Sequence, residues 1–188
     1  MKNLPYTHLS ALLCAGALVA CANSRVPTKV PVSVSLQADH SPAAQVFQSV
    51  NAYRSSQGVK QLQRHAGLDR LAQKHCEYLR QQRGTFSLKG RNVSHMGFDG
   101  RALVARELYR MDNISENVAA ANHAGTHVDA AVMALWKSSK DHQKNMVDSW
   151  THTGIGVVVD SDGTVFADQL FATISNSQRA LHYRFTQF

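Results

Sequence analysis

The chain is poor in cysteine, with three among 188 residues: Cys14, Cys21 and Cys76. Cys14 lies inside an apolar N-terminal run and Cys21 closes it, so Cys76 stands alone in the body of the chain. An intradomain disulfide is therefore excluded, and packing must hold the fold. The apolar run Leu9 to Ala20 falls well short of the roughly 20 residues that a bilayer-spanning helix needs. No H-E-x-x-H is present, which removes the commonest zinc-protease helix. No G-x-S-x-G occurs, so a serine nucleophile turn has no support. Zinc-finger spacing, RNA-binding motifs and a compact basic block are also missing, which leaves no nucleic acid among the expected partners. There is no internal repeat.

The N-terminus is informative. Lys2 precedes the short apolar run, as in a secretory signal. The run ends on Leu18-Val19-Ala20-Cys21, which resembles a bacterial lipoprotein cleavage box. Residues 1–20 are accordingly read as a lipoprotein signal peptide, with Cys21 as the lipidated new N-terminus. Residues 21–40 contain Pro27, Pro31 and three serines without a helical apolar period, and read as a flexible tether. A chain of that length spans ~25 Å. The remaining residues, 41–188, form one domain long enough to bury a core. The formal net charge of +7 favours anionic partners such as phospholipid headgroups or cell-wall polymers.

Within the domain, Ser41-Pro42 is a helix start, with Ser as N-cap and Pro at N1. Gly58 marks the stop of this helix. A second helix is predicted from Leu68 to Gln82, with Leu68, Leu71, Ala72, His75 and Leu79 on one apolar stripe. Cys76 falls on this helix and reads as a small buried hydrophobe. Gly84 to Gly100 reads as a loop, followed by a short helix from Ala102 to Arg110. Ile114 to Ala120 is a strand. Thr126-x-x-Asp129 resembles a capping box and opens a helix whose buried face carries Val128, Val132, Leu135 and Trp136. Gly154–Val159 and Thr164–Phe171 flank Asp160-Ser161-Asp162-Gly163, a hairpin signal. His123 and His127 have an H-x-x-x-H spacing, but Gly125 and Thr126 lie between them at a helix start, which makes them a weak metal pair. The tail 174–188 carries Tyr183, Phe185 and Phe188, aromatics suited to packing on the domain.

The order of segments is distinctive. Ser94-His95-Met96-Gly97-Phe98-Asp99-Gly100-Arg101 comes first, then Ser115-Glu116-Asn117-Val118-Ala119. Trp136 to Asn145, Gly154-Ile155-Gly156-Val157 and Asp168-Gln169-Leu170-Phe171 follow. With Asn51-x-x-Arg54, Gly58, Leu62, Leu68 and Ala72 upstream, this series resembles the bacterial branch of the CAP superfamily: the cysteine-rich secretory, antigen 5 and pathogenesis-related domains. The resemblance spans about residues 44–173. It implies an α+β fold, an α-β-α sandwich with a small antiparallel sheet between helical layers. It also implies one cleft shared by His95, Glu116 and His142, supported by Ser139, Asn145 and Gln169. Many members carry a second Glu where this chain has Ser139, and bacterial relatives commonly have Ser there.

Two imidazoles and a carboxylate can hold zinc or another divalent metal and leave a coordination position open. No cofactor is required by the sequence itself, and no catalytic residue is established by it. The same groups can bind a polar ligand without metal. Arg101 or Arg106 is positioned to pair with a carboxylate near the cleft. The leading expectation is an envelope-anchored module that binds a lipid, a cell-wall component or a protein. The alternative is a metal-dependent hydrolase or peptidase in the same cleft, with His95 and His142 as ligands and Glu116 activating water. A purely structural envelope protein is a third reading. The expected location is the bacterial cell envelope, on the outer membrane if the cell has two.

If Cys21 carries the lipid, Cys21→Ser should release the protein from membranes or block its processing, because two acyl chains anchor firmly and none does not. Fractionation of wild type and variant checks this. Wild-type protein that is soluble and lipid-free would refute it.

Overall fold

A computed structural model describes residues 39–84, 95–122 and 124–174. The lipoprotein signal, Cys21, most of the tether, His123 and the tail beyond Ile174 lie outside the described residues, as does most of the loop before His95. Among the described residues, no helix is long and apolar enough to cross a membrane.

The elements run α1 (Pro42–Ser56), β1 (Gln63–Arg64), α2 (Ala66–Gln81), α3 (Phe98–Tyr109), β2 (Met111–Ala121), α4 (Val128–Ser138), α5 (Lys140–Val147), β3 (His152–Val159) and β4 (Val165–Ile174). The strands form one sheet in the order β1-β3-β4-β2. The three long strands are antiparallel, as expected. The two-residue β1 joins β3 in parallel, so the sheet as a whole is mixed.

Side chains alternate across the sheet, and each face has its own helical cover. Ala119, Ile155, Ala167 and Phe171 meet Val46 and Val50 of α1, Val132 and Trp136 of α4, and Met146 of α5. On the opposite face, Leu170 and Ala172 pack on Leu68 and Ala72 of α2 and Ala105 of α3. Val118, Ala120, Val158 and Phe166 continue that face under Cys76 and Leu79. This is the α-β-α sandwich, and Trp136 is fully buried in its first layer.

Several local readings shift. His65, not Leu68, starts α2: its ring nitrogen accepts from the Leu68 amide at 3.3 Å. α3 begins at Phe98, four residues early, because Gly97 supplies a left-handed N-cap at φ 77°. The Thr126/Asp129 capping box does not form. His127 is the N-cap of α4 and makes no side-chain cap bond, while Asp129 accepts from Ser49 at 2.6 Å. The segment after Trp136 is itself a helix, α5, capped by Ser139.

The upstream signature residues have structural work. Asn51 brackets the backbone of Leu62, accepting from its amide at 2.8 Å and donating to its carbonyl at 3.1 Å. Buried Arg54 donates to the carbonyls of Lys60, Met146 and Asp148 and so ties α1 to α5. Arg83 pairs with Asp160 at 3.1 Å and with Asp162, pinning the hairpin turn to the end of α2.

Helix α2 lies directly on β3. A β-carbon at Gly154 would sit 2.1 Å from the Leu68 backbone, and one at Gly156 would sit 2.3 Å from the Ala72 backbone. Gly154→Ala should therefore lower stability by at least about 1–3 kcal/mol, the usual cost of overpacking. Trp136→Ala should lower it by about 3–5 kcal/mol through the cavity it leaves. Denaturant melts check both, and a Gly154→Ala midpoint equal to wild type would contradict the packing.

Candidate functional site

Strand β2 is the outer strand of the sheet. Along it opens a cleft of ≈ 600 Å³. His95, Glu116, Ser139, His142 and Asn145 all line it, as do apolar Val118, Ala120 and Leu135. Three elements supply the polar groups: the residues leading into α3, strand β2, and helix α5 with its cap.

Glu116 is the centre. It is buried, and both its oxygens are engaged. Arg101 donates to Oε1 at 2.7 Å and to Oε2 at 3.0 Å, a bidentate pair. His95 Nδ1 lies 2.8 Å from Oε2. Burial pushes the Glu116 carboxyl up, but the bonds from His95 and Arg101 and the Arg101 charge outweigh it and hold the group below its ordinary value. Of the two arginines considered, Arg101 is the partner; Arg106 is exposed.

The α5 side is less tightly bonded. The Ser139 hydroxyl accepts from the His142 amide at 3.4 Å, and the His142 carbonyl accepts from Asn117 at 3.1 Å. His142 Nδ1 is buried with no hydrogen-bond partner among the described residues. Burial and the neighbouring His95 charge lower the His142 pKa, so its neutral ring is the favoured form. Asn145 ties α5 to β2, donating to the Glu116 carbonyl at 3.3 Å and to Asn117 at 2.9 Å. Gln169 does not line the cleft. It is fully buried on β4 and donates to Thr153 at 3.0 Å, which braces the sheet.

His95, Glu116 and His142 thus share one cavity without converging on one point. Among the described residues, the group of three His, Cys, Asp or Glu donors lying mutually within 4.8 Å is His75, Glu116 and Asp168. The geometry therefore does not fit one metal held jointly by His95, Glu116 and His142.

Two residues behind Glu116 escaped the sequence reading. His75 lies within the apolar stripe of α2 and so reads as core. Asp168 is fully buried on β4, and among the described residues no N–H or hydroxyl donor reaches its carboxyl oxygens. Burial, reinforced by the Glu116 charge, pushes its pKa well above the usual carboxylate range. The available signal was an acidic residue inside the apolar run Val165–Phe171.

The sequence profile described as "CAP: Cysteine-rich secretory protein family" matches residues 47–174. No curated protein matches the chain. Among solved structures, an outer surface protein from Borrelia burgdorferi is similar with a TM-score of 0.53 at 17% identity, covering 69% of this chain and 90% of that one. An extracellular protein containing an SCP domain from Bacillus anthracis gives 0.51 at 24% identity, covering 70% of this chain and 40% of that one. A cysteine-rich secretory protein from Staphylococcus aureus gives 0.50 at 15% identity, with 70% and 38% covered. At these identities the likeness concerns the fold, and the chain spans about two fifths of the latter two proteins.

The His142 pKa is depressed from 6.5 in the folded chain, so the unfolded chain binds more protons in the window just below that value. The stability that neutral His142 contributes is present above about pH 6.5 and lost as pH falls through the folded value. Thermal melts between about pH 7 and 5 should show falling stability, with a shallower slope in His142→Gln. An unchanged slope would remove His142 as a source of the acid sensitivity.

Proposed function

The chain belongs to the CAP, or cysteine-rich secretory protein, family, and from that premise we propose that it is an envelope-exposed binding module rather than a hydrolase. The observation that carries this reading is the state of Glu116. A general base works best with a pKa near the operating pH. Glu116 instead has both oxygens engaged by Arg101 and His95, and its pKa is held low. Ser139 stands where a second carboxylate would be needed and caps a helix. A two-carboxylate acid–base mechanism thus lacks its second carboxylate.

The cleft suits a small amphipathic ligand, such as a lipid or a cell-wall fragment. Its apolar part would rest on Val118, Ala120 and Leu135. Its polar part would reach His95, His142 and Asn145. Among the described residues His142 Nδ1 is buried in this wall without a hydrogen-bond partner, and a ligand hydroxyl or amide would satisfy it. The names of the similar proteins, an outer surface protein and an extracellular one, agree with an envelope or extracellular location. Lipid on Cys21 would hold the domain near its membrane.

Native mass spectrometry of protein purified from its own membranes, without chelator, tests the reading. One organic adduct should copurify with wild type and be lost in Leu135→Glu, which puts a charge into the apolar floor. Metal-dependent turnover abolished by His142→Ala, with the fold intact, would overturn the binding module in favour of the enzyme.

A further inference from the structure

We propose that His75, Glu116 and Asp168 form a buried site for one divalent cation of the zinc and cobalt type, one layer beneath the cleft. The site is distinct from the cleft set of His95 and His142 and shares only Glu116 with it.

The topology builds the site. Val118 pairs directly with Asp168 across β2 and β4, and Glu116 pairs with Leu170. Residues two apart on a strand face the same way, so the Glu116 and Asp168 side chains are diagonal neighbours on the face covered by α2. Gly156, opposite Asp168 on β3, lets α2 come close, and His75 of α2 faces the two carboxyls. One donor atom from each of the three then lies within 4.8 Å of the others, and all three residues are buried.

The independent sign of a ligand is Asp168. Its side chain is 0% exposed, and among the described residues no N–H or hydroxyl donor reaches either oxygen. Leaving buried polar atoms unpaired costs about 1–3 kcal/mol each, and more for a charge. A cation would satisfy this group and would draw on Glu116 as well. A carboxylate has about four acceptor positions. Arg101 and His95 occupy three on Glu116, with a single bond on Oε1, so that oxygen keeps one position free. One imidazole nitrogen and two carboxylate oxygens suit zinc-type ions, with a fourth position for water. Access is short: His75 and Arg101 line a hollow of ≈ 360 Å³ on the α2 side, and Glu116 lines the cleft on the other.

The test is equilibrium dialysis of the purified full-length chain against zinc, with elemental analysis, and cobalt(II) absorption as a report on coordination. Wild type should bind one equivalent. Losing a partner that merely supports a ligand already costs about 10–100-fold in affinity. Asp168→Asn, which keeps the shape, should therefore weaken binding at least about tenfold, and His75→Gln likewise. His142→Ala should retain the metal, which separates this site from the cleft whatever the organic adduct does. If Asp168→Asn does not fold, His75→Gln decides. No bound metal would overturn the site. So would metal retained by His75→Gln or Asp168→Asn, or metal lost in His142→Ala.

Discussion

The close seat of α2 on β3 governs the rest of the domain. Beyond the two residues of β1, the outer side of β3 has backbone amides without a strand partner. Helix α2 supplies the acceptors: Asp69 takes the Ile155 amide at 2.9 Å, and Gln73 takes the Val157 amide at 3.1 Å. An uncovered strand edge invites association with another chain, and a covering helix is one way to blunt it. Gly154 and Gly156 allow the helix close enough for these bonds. Cys76 completes the contact, its thiol lying 3.3 Å from the Gly156 carbonyl. A domain without disulfides therefore fixes its sheet to this helix through side chains that bond backbone.

That seat has an electrostatic consequence. It carries His75 over the sheet, where β2 and β4 present Glu116 and Asp168. Two carboxyls so close cannot both ionise cheaply. The structure separates them by environment. Glu116, held by Arg101 and His95 at the cleft wall, stays charged, whereas Asp168, fully buried beside the Glu116 charge, is pushed toward the neutral form. Glu116 is thus both the floor of the cleft and the outer member of a deeper polar layer. Its engagement with Arg101 helps to hold it in the charged form.

Much of this was legible beforehand, for identifiable reasons. Trp136 and the apolar runs of β3 and β4 report burial, which shows in the residue types themselves. Ser41-Pro42 marked a helix start correctly because capping chemistry is local: Ser41 accepts from the Ala44 amide at 3.2 Å. The Thr126/Asp129 box misled because a tertiary partner, Ser49, takes the Asp129 carboxylate. Helix α5 was missed because its eight residues bury little beyond Met146, which leaves a weak apolar period.

By itself the sequence determined the family and the α+β class, since ordered motifs and apolar periods carry that information. It left Arg101 and Arg106 undivided, because one turn of helix cannot say which guanidinium reaches β2. Only the tertiary structure decided that Arg101 is the partner, that Gln169 braces the sheet instead of the cleft, and that His75 and Asp168 meet behind Glu116. Those facts depend on strand register and on how closely α2 approaches β3. His75 and Asp168 stand 93 positions apart, and no local pattern encodes such a distance.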